Sequence, residues 1–231
     1  TSASLAFALS AQAATLTFSD SVTLSNNVDN VINILKFDTA NDISEVGKPT
    51  TVGATLDSVS ITVTVTLTGA EVQLDNDSLS SNTATATVTN QVNTFAVNNV
   101  SGDPLNGIDL QINEQQDFTL DATSGDAIGS FDVTAFGDFD VYSPGALTGV
   151  TSGNLSGVVA DDQGYTTTTL GEDIAFLVNP TFGASATFNG DNGFFQGNTP
   201  TGTYSVEVVY EYTTPVPEPS SFALIAGVLG L

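Results

Sequence analysis

The segment from Val59 to Leu67 alternates between apolar and hydroxyl side chains, and this pattern constrains the fold more than any other feature of the chain. Its odd-numbered residues are Val, Ile or Leu, and its even-numbered residues are Ser or Thr. Because successive side chains of a β-strand point to opposite faces of the sheet, the pattern predicts a strand with one face in a core and one in water. The segment from Tyr204 to Tyr212 repeats it, with the apolar residues at even positions.

A third alternating segment runs from Phe131 to Val141. It predicts a buried face that includes Phe139 and Val141, and a solvated face that includes Asp138 and Asp140.

Shorter apolar runs, separated by Gly, Pro, Asn, Asp and Ser, predict further strands. No apolar repeat of 3.6 residues between Ala14 and Thr214 indicates a helix. Many short strands with turn signals between them are typical of an antiparallel β-sandwich, of the jelly-roll or Ig-like kind. We therefore expect one all-β domain over residues 14–214. The additional predicted strands are Leu16–Leu24, Val31–Phe37, Val72–Leu74, Thr83–Thr89, Gln91–Val97, Ile108–Ile112, Phe118–Leu120, Leu155–Val159, Ile174–Val178 and Ala184–Phe188.

The composition excludes several classes of function. The chain has no Cys and no His, which excludes disulfides, thiol nucleophiles, a Ser-His-Asp triad and metals bound by thiolate or imidazole. Lys36 and Lys48 are its basic residues, against 26 Asp and Glu, and its formal net charge is −24. Nucleic acid is excluded as a partner, because binding a phosphate backbone requires Lys or Arg. We expect the acids to be solvated, or screened by salt or bound cations.

The first residues have the composition of the end of a secretory signal peptide. An apolar run from Leu5 to Leu9 is followed by Ala11-Gln12-Ala13, in which Ala11 and Ala13 fit a small-residue cleavage site. We expect residues 1–13 to be a signal-peptide remnant, cleaved by signal peptidase so that Ala14 comes first. The alternative is a buried apolar element at the start of the domain.

Residues 215–231 combine a Pro-rich spacer with an apolar run. Pro cannot donate a ladder hydrogen bond, so Pro215, Pro217 and Pro219 end the preceding strand. From Phe222 to Leu231 every residue is apolar or Gly, over about half of the roughly 20 residues that span a membrane. We expect a helical stub that is the beginning of a transmembrane helix, the alternative being a piece that packs on the domain.

The motif Val-Pro-Glu-Pro-Ser-Ser at residues 216–221, followed by this apolar run, resembles the PEP-CTERM sorting signal of Gram-negative bacteria. The resemblance assigns the sorting motif to Pro217, Glu218 and Pro219. It implies export, transient anchoring in the inner membrane and processing by an exosortase. The product is then expected in the periplasm, the outer envelope or the extracellular matrix. The basic cluster that ends the family's signal does not occur within residues 222–231, and the tail implies nothing about the domain's activity.

A second resemblance covers most of residues 14–214. Lys36-Phe37-Asp38, and then Gly53, Leu56, Ser58-Val59, Ile61 and Thr68-Gly69 with their spacing, are similar to the choice-of-anchor E domain of exported bacterial proteins. In that group the PEP-CTERM tail is one of several alternative anchors. The resemblance implies a surface or matrix protein and assigns no catalytic residues.

Calcium is the cofactor that the acidic turns suggest. Ca²⁺ takes six to eight oxygen ligands, commonly from loops rich in Asp, Asn and Gly. The turns predicted at residues 75–77 and 161–164 carry neighbouring carboxylates, and residues 189–193 offer carbonyl oxygens. None of these has EF-hand spacing, and the alternative is that the Asp and Asn side chains cap their own turns. The candidate calcium ligands are Asp75, Asp77, Asp161 and Asp162.

Paired carboxylates about 5–10 Å apart would allow glycoside hydrolysis. Candidate pairs on one strand face are Asp138 with Asp140 and Glu207 with Glu211. The alternative is a solvated strand face, which the alternation itself predicts. Aromatic residues noted for exposure are Phe136, Phe194 and Phe195.

Three functions remain open at this point. The first is a non-enzymatic exported protein of the surface or matrix, associated with exopolysaccharide or biofilm, or with copies of itself. The second is a calcium-assisted carbohydrate-binding module, and the third is a glycosidase that uses carboxylates alone. We expect the first, because catalysis near neutral pH usually employs His, Cys, Lys or a metal that they hold.

Overall fold

The structure is a computed structural model that describes residues 11–96, 108–123, 131, 137–162, 164–190 and 192–214. The described residues form β-strands and one short helix. In chain order the elements are β1 (Gln12–Leu24), β2 (Asn30–Leu35), β3 (Phe37–Asp38), β4 (Thr55–Thr68), β5 (Glu71–Asn76), β6 (Asn82–Ala96), β7 (Ile108–Leu120), β8 (Phe139–Tyr142), β9 (Leu147–Ser156), α1 (Gly157–Asp162), β10 (Thr166–Thr167), β11 (Asp173–Phe188), β12 (Gly193–Asn198) and β13 (Thr201–Thr214).

The strands assemble into three antiparallel sheets and one short parallel pair. The first sheet has the order β1-β13-β4-β9, and the second sheet has the order β2-β11-β6-β7. The small sheet has the order β12-β5-β8, and β3 pairs in parallel with β10. The described chain is therefore all-β and sandwich-like, as the alternating segments predict.

The first and second sheets share one hydrophobic core. Odd-numbered residues from Val59 to Leu67 in β4 and even-numbered residues from Tyr204 to Tyr212 in β13 are completely buried, which confirms both predicted facings. They pack with Ile174, Phe176 and Val178 of β11 in the same cluster. Burying each such side chain stabilises the fold by about 1.5–3 kcal/mol.

Two tyrosines of β13 contact and hydrogen-bond the segment from Leu35 to Pro49, and so connect it to this core. The rings of Tyr210 and Tyr212 contact the ring of Phe37, with centroids 5.7 and 5.2 Å apart. The Tyr210 hydroxyl donates to the Leu35 carbonyl at 2.9 Å, and the Tyr212 hydroxyl donates to the Pro49 carbonyl at 2.7 Å. Burial raises the pKa of Tyr210, so it remains a neutral donor.

Three pairs of predicted short strands are single long strands. The strand β11 continues through Pro180, which lies just beyond the last residue that pairs with β2, so no ladder hydrogen bond to β2 is lost. Buried Asn90 in β6 donates its side-chain N–H to the Ile112 carbonyl at 3.0 Å, which satisfies the amide nitrogen, but not the amide oxygen, inside the sheet. The predicted pairs were Thr83–Thr89 with Gln91–Val97 (now β6, with Val97 outside the described residues), Ile108–Ile112 with Phe118–Leu120 (now β7), and Ile174–Val178 with Ala184–Phe188 (now β11).

The predicted strand Leu155–Val159 is wrong in its second half, because β9 ends at Ser156 and α1 begins at Gly157. A Cβ on Gly157 would lie 1.8 Å from the carbonyl oxygen of Leu56, so the chain turns away from β4 at a residue without a side chain. The helix ends at Asp162, and Gly164, with a φ of +79°, closes it in a Schellman motif in which the N–H of Tyr165 donates to the Ala160 carbonyl. A helix of six residues is too short to show a recognisable apolar period in the sequence.

The predicted facing of Phe131–Val141 is also wrong where it is described. Asp138 is 1% exposed, whereas Val141 is 38% exposed. Gly137, with a φ of +93°, interrupts the extended backbone before β8 begins at Phe139, so the alternation does not carry through. Residues 132–136 lie outside the described part of the chain.

The two ends of the chain are described only in part. Ala11 precedes β1 and Ala13 lies within it, where β1 pairs with β13 from Gln12 opposite Thr214 onward. Residues 1–10 and 215–231 lie outside the described part, and with them the sorting motif and the expected helical stub. No helix within the described ranges is long and apolar enough to cross a membrane.

Candidate functional site

The first pair of predicted calcium ligands, Asp75 and Asp77, lies at the buried end of β5 and not on an exposed turn. Each is 1% exposed. Asp75 sits in the middle of the small sheet, opposite Phe194 of β12 on one side and Phe139 of β8 on the other. The backbone N–H of Asp77 donates to the Asn192 carbonyl at 2.9 Å. The exposed-turn prediction is wrong because β12, which the sequence did not predict, pairs along this end of β5.

The second pair, Asp161 and Asp162, lies in the last turn of α1. Both are exposed, and the Asp161 carboxylate accepts a hydrogen bond from the Thr166 hydroxyl. The structure therefore does not bring the two predicted pairs together. In the part of the chain that is described, no three acidic side chains form a group that could hold a metal ion. Calcium binding by these residues stays a prediction.

The candidate carboxylate pairs do not form a shared cleft. Asp138 is buried while Asp140 is exposed, with its carboxylate on the N–H of Val141. Glu207 and Glu211 both lie on the outer face of β13, but four residues of strand separate their Cα atoms by about 13 Å. That spacing exceeds the carboxylate separation of glycosidases, about 5–10 Å.

Two of the aromatic residues noted for exposure are indeed partly exposed. Phe194 is 38% and Phe195 is 45% exposed on β12. Because consecutive residues of a strand point to opposite faces, the two rings do not form one platform. Phe136 lies outside the described residues.

The outer face of the first sheet carries rows of hydroxyl groups that cross all four strands; we call this surface the hydroxyl face. Charged side chains within the rows are Glu207 and Glu211, and a shallow cavity of about 450 Å³ lies over Thr62 and Thr64. In the order β1, β13, β4, β9, the rows are Thr23-Thr203-Thr66-Thr148, Ser21-Ser205-Thr64-Val150, Ser19-Glu207-Thr62-Ser152, Thr17-Val209-Ser60-Asn154 and Thr15-Glu211-Ser58-Ser156.

A larger open cavity of about 630 Å³ lies between α1, β10 and the start of β4; we call it the threonine cavity. Thr39, Thr55 and the consecutive residues Thr166 to Thr169 line it. The parallel pairing of β10 with β3 places Thr167 opposite Asp38, and the N–H of Thr39 donates to the Thr167 carbonyl at 3.1 Å. Residues from three distant parts of the sequence therefore meet around one cavity.

Glu172 forms part of one wall of this cavity, and it is held there by an ion pair with Lys36. The ammonium of Lys36 lies 2.5 Å from Oε1 of Glu172, and the Thr167 hydroxyl donates to Oε2 of Glu172 at 2.5 Å. These hydrogen bonds, from Lys36 first and then Thr167, lower the pKa of Glu172. Lys36 is 8% exposed, so its charge is buried against this one carboxylate.

Asp38, at the end of β3, is buried beside the cavity. Burial pushes its pKa upward, but hydrogen bonds from the side chain and backbone of Asn41 and the backbone of Ala40 together hold the pKa below its ordinary value. The carboxylate thus caps the turn after β3 and stays ionised.

Sequence reasoning identified Asp161 but missed Glu172 and the run Thr166–Thr169. The available signal was the scarcity of basic residues, because a lysine in a core segment requires an acidic partner. The sequence could not say which of many acids that partner is.

A comparison with known protein families finds none that matches this chain, and a comparison with individually characterised proteins finds no match either. The PEP-CTERM and choice-of-anchor E resemblances therefore stay predictions.

Proposed function

We propose that this chain is a non-enzymatic exported protein of the cell surface or extracellular matrix, which associates with exopolysaccharide through the hydroxyl face. The rows of Ser and Thr are the observation that carries the proposal. Hydroxyl groups both donate and accept hydrogen bonds, as the hydroxyl groups of a sugar polymer do. The charged side chains of the rows are Glu207 and Glu211, so most row positions can contact a neutral polymer without burying a charge.

The regular spacing of the face suits a polymer with repeated groups. Neighbouring strands are about 4.8 Å apart, and residues two apart on a strand are separated by about 6.8 Å. Each hydrogen bond exchanged with water contributes little alone, but linked contacts along one polymer add in avidity. We therefore expect binding to polymers of many units at moderate overall affinity.

The binding test is retention on an insoluble neutral polysaccharide, with cellulose as the probe and soluble polygalacturonate as an acidic comparison. The double variant Thr64→Glu/Ser205→Glu adds two charges to neighbouring positions of one row, and retention is expected to fall about tenfold or more. Ser185→Glu/Thr187→Glu adds two charges to exposed positions of β11 in the second sheet and is the matched control. Equal retention of the variant and the control would overturn the role of the hydroxyl face.

We also propose that the sandwich, jelly-roll or Ig-like, is followed by an apolar helical stub that anchors it transiently in the inner membrane. Support comes from Pro217-Glu218-Pro219 and from Ala11 and Ala13. In a host with an exosortase, the released protein is expected to start at Ala14 and to lack its C-terminal apolar run. Intact-mass measurement checks both ends, and a cytoplasmic product that retains both would contradict the proposal.

A further inference from the structure

We propose that the threonine cavity binds a single neutral sugar residue. The inference rests on the proposed function only for the source of that sugar, an end or branch of the polysaccharide. The cavity is separate from the hydroxyl face, because it lies between α1, β10 and the start of β4.

The size of the cavity fits one sugar ring. Its volume is about 630 Å³, within the range of pockets that hold small ligands, about 300–1,000 Å³. Since it opens at the surface beside α1, a ring can enter while the rest of a chain remains outside.

The polar groups of the cavity are held in place before any ligand arrives. The Thr166 hydroxyl donates to the Asp161 carboxylate, and the Thr167 hydroxyl donates to Oε2 of Glu172 at 2.5 Å. Each carboxylate oxygen can accept two hydrogen bonds, so both carboxylates keep acceptor capacity. A ligand with several adjacent hydroxyl donors matches this arrangement.

The charges of the cavity favour a neutral ligand over an anion, and the ion pair between Lys36 and Glu172 reduces the room for a cation. The ammonium of Lys36 already occupies Oε1 of Glu172 at 2.5 Å, where a metal ion would otherwise bind. The Asp161 carboxylate, by contrast, has a neutral hydroxyl, that of Thr166, as its hydrogen-bond donor and keeps its full negative charge. An anionic ligand would be repelled by that carboxylate, and a divalent cation would find Oε1 of Glu172 already occupied by Lys36.

The apolar part of the lining suits the C–H face of a sugar. Leu56 and Val158 line the cavity, and Val158 is 76% exposed on α1 at its rim. Sugars present hydroxyl groups at their edges and C–H groups on their faces, so a cavity with both polar and apolar walls can contact both.

Titration of the ¹⁵N-labelled 231-residue chain with methyl glycosides of glucose, galactose and mannose tests the proposal. Amide shifts centred on Thr166–Thr169 and Val158 are expected for at least one glycoside, with a Kd on the order of 1 mM. Val158→Glu fills the rim and removes the apolar contact, and is expected to weaken binding about tenfold. Val159→Glu, on the exposed side of the same helix and outside the lining, is the matched control and should bind as wild type.

A second variant keeps the test sharp if Val158→Glu alters the helix. Thr167→Val preserves shape but removes the hydroxyl that positions Glu172, and it is expected to weaken the glycoside several-fold, whereas Thr148→Val on the hydroxyl face should not. No shifts with any glycoside up to about 50 mM, or equal binding by the Val158 and Val159 variants, would overturn the proposal. Shifts of the same amides by CaCl₂ but by no glycoside would make the cavity a cation site and also overturn it.

The outcome is separable from that of the proposed function. If no glycoside shifts are seen but cellulose retention is intact, only the proposal of a sugar site in the threonine cavity is refuted. Glycoside binding without cellulose retention removes only the role of the hydroxyl face.

Discussion

The strands β4 and β5 are separated by two residues, yet polar side chains face outward in β4 and are buried at the end of β5. In β4 the hydroxyl residues from Ser58 to Thr66 face outward, while the apolar residues between them are buried. In β5 the last two residues, Asp75 and Asn76, are both buried. The strand β4 has one face in water, whereas the end of β5 is enclosed on both faces. An alternating sequence therefore predicts which residues are buried only in a strand such as β4, which has one solvated face.

At the enclosed end of β5, the side-chain amide of Asn76 is fully hydrogen-bonded. The side chain of Asn76 donates to the carbonyls of Ser80 and Asp121, at 3.1 and 2.5 Å, and its side-chain oxygen accepts from the N–H of Ser78 at 3.2 Å. A buried amide is tolerated when all its hydrogen-bonding groups are used.

The largest expected effect tests the facing of β4. Val63→Lys places a charge in the shared core, where it has no partner, and is expected to destabilise by about 3–5 kcal/mol or to prevent folding. Thr64→Lys, one residue along on the hydroxyl face, is expected to change stability by about 0.5 kcal/mol or less. Urea unfolding of both variants measures the difference, and similar losses would refute the assigned facing.

The next effect tests the enclosed end of β5. Asn76→Ala leaves two carbonyls and one N–H without their partner, and is expected to cost about 1–3 kcal/mol. Asn154→Ala is the matched control on an exposed position of β9, where the side chain accepts from Ser60, and it is expected to cost about 0.5 kcal/mol or less. If the two variants unfold at the same urea concentration, the contrast between the two strands is wrong.

A smaller effect concerns the pH dependence of stability, which we expect to differ between Glu172, an acid held by hydrogen-bond donors, and an acid on the hydroxyl face. The pKa of Glu172 is lowered, so its stabilising contribution is present above the unfolded-state pKa of about 4.3 and is lost as the pH falls below it. Asp38 and Asp42, whose pKa values are also lowered, act in the same direction. We expect the Tm of Glu172→Gln to fall less than that of wild type between pH 5 and pH 3.

Protonation of the acids between pH 5 and pH 3 also relieves their mutual repulsion, which raises the Tm and opposes the loss described for Glu172. The control variant must therefore remove one negative charge, as Glu172→Gln does. Glu207→Gln removes one exposed acid from the hydroxyl face and is expected to keep the wild-type pH dependence. Identical slopes for the Glu172 and Glu207 variants would show that the Lys36 pair does not govern the acid response.

The smallest effect concerns cations. A chain of net charge −24 repels itself when compact, so about 0.15 M NaCl is expected to raise the Tm modestly relative to low salt. CaCl₂ of equal ionic strength is expected to give the same gain if screening alone acts. A larger gain with CaCl₂, lost in Asp75→Asn or Asp161→Asn, would instead establish one of the calcium sites predicted from the sequence.

The candidate sites were predictable only where one strand carried the whole signal. The hydroxyl residues of β4 follow from alternation, and their position on the outer face, where they are half-buried between the neighbouring strands, is confirmed. The threonine cavity could not be predicted, because Lys36 and Glu172 are 136 residues apart and meet only when β3 pairs with β10. Asp161 was identified from the sequence as an acid on a turn. Its hydrogen-bond partner Thr166 could not be, because the two meet only when the chain reverses at Gly164 after α1.

The sequence by itself determined that the described chain is all-β, and which residues of β4 and β13 form the core. Local alternation is sufficient for this, because each residue's face is fixed by the pleat of its own strand. The tertiary structure alone decided that β12 covers the end of β5, that Gly157 starts a helix and that Asp138 is buried. Each of these depends on a contact between distant segments, such as the carbonyl of Leu56 against Gly157, and no local pattern encodes the position of a distant partner.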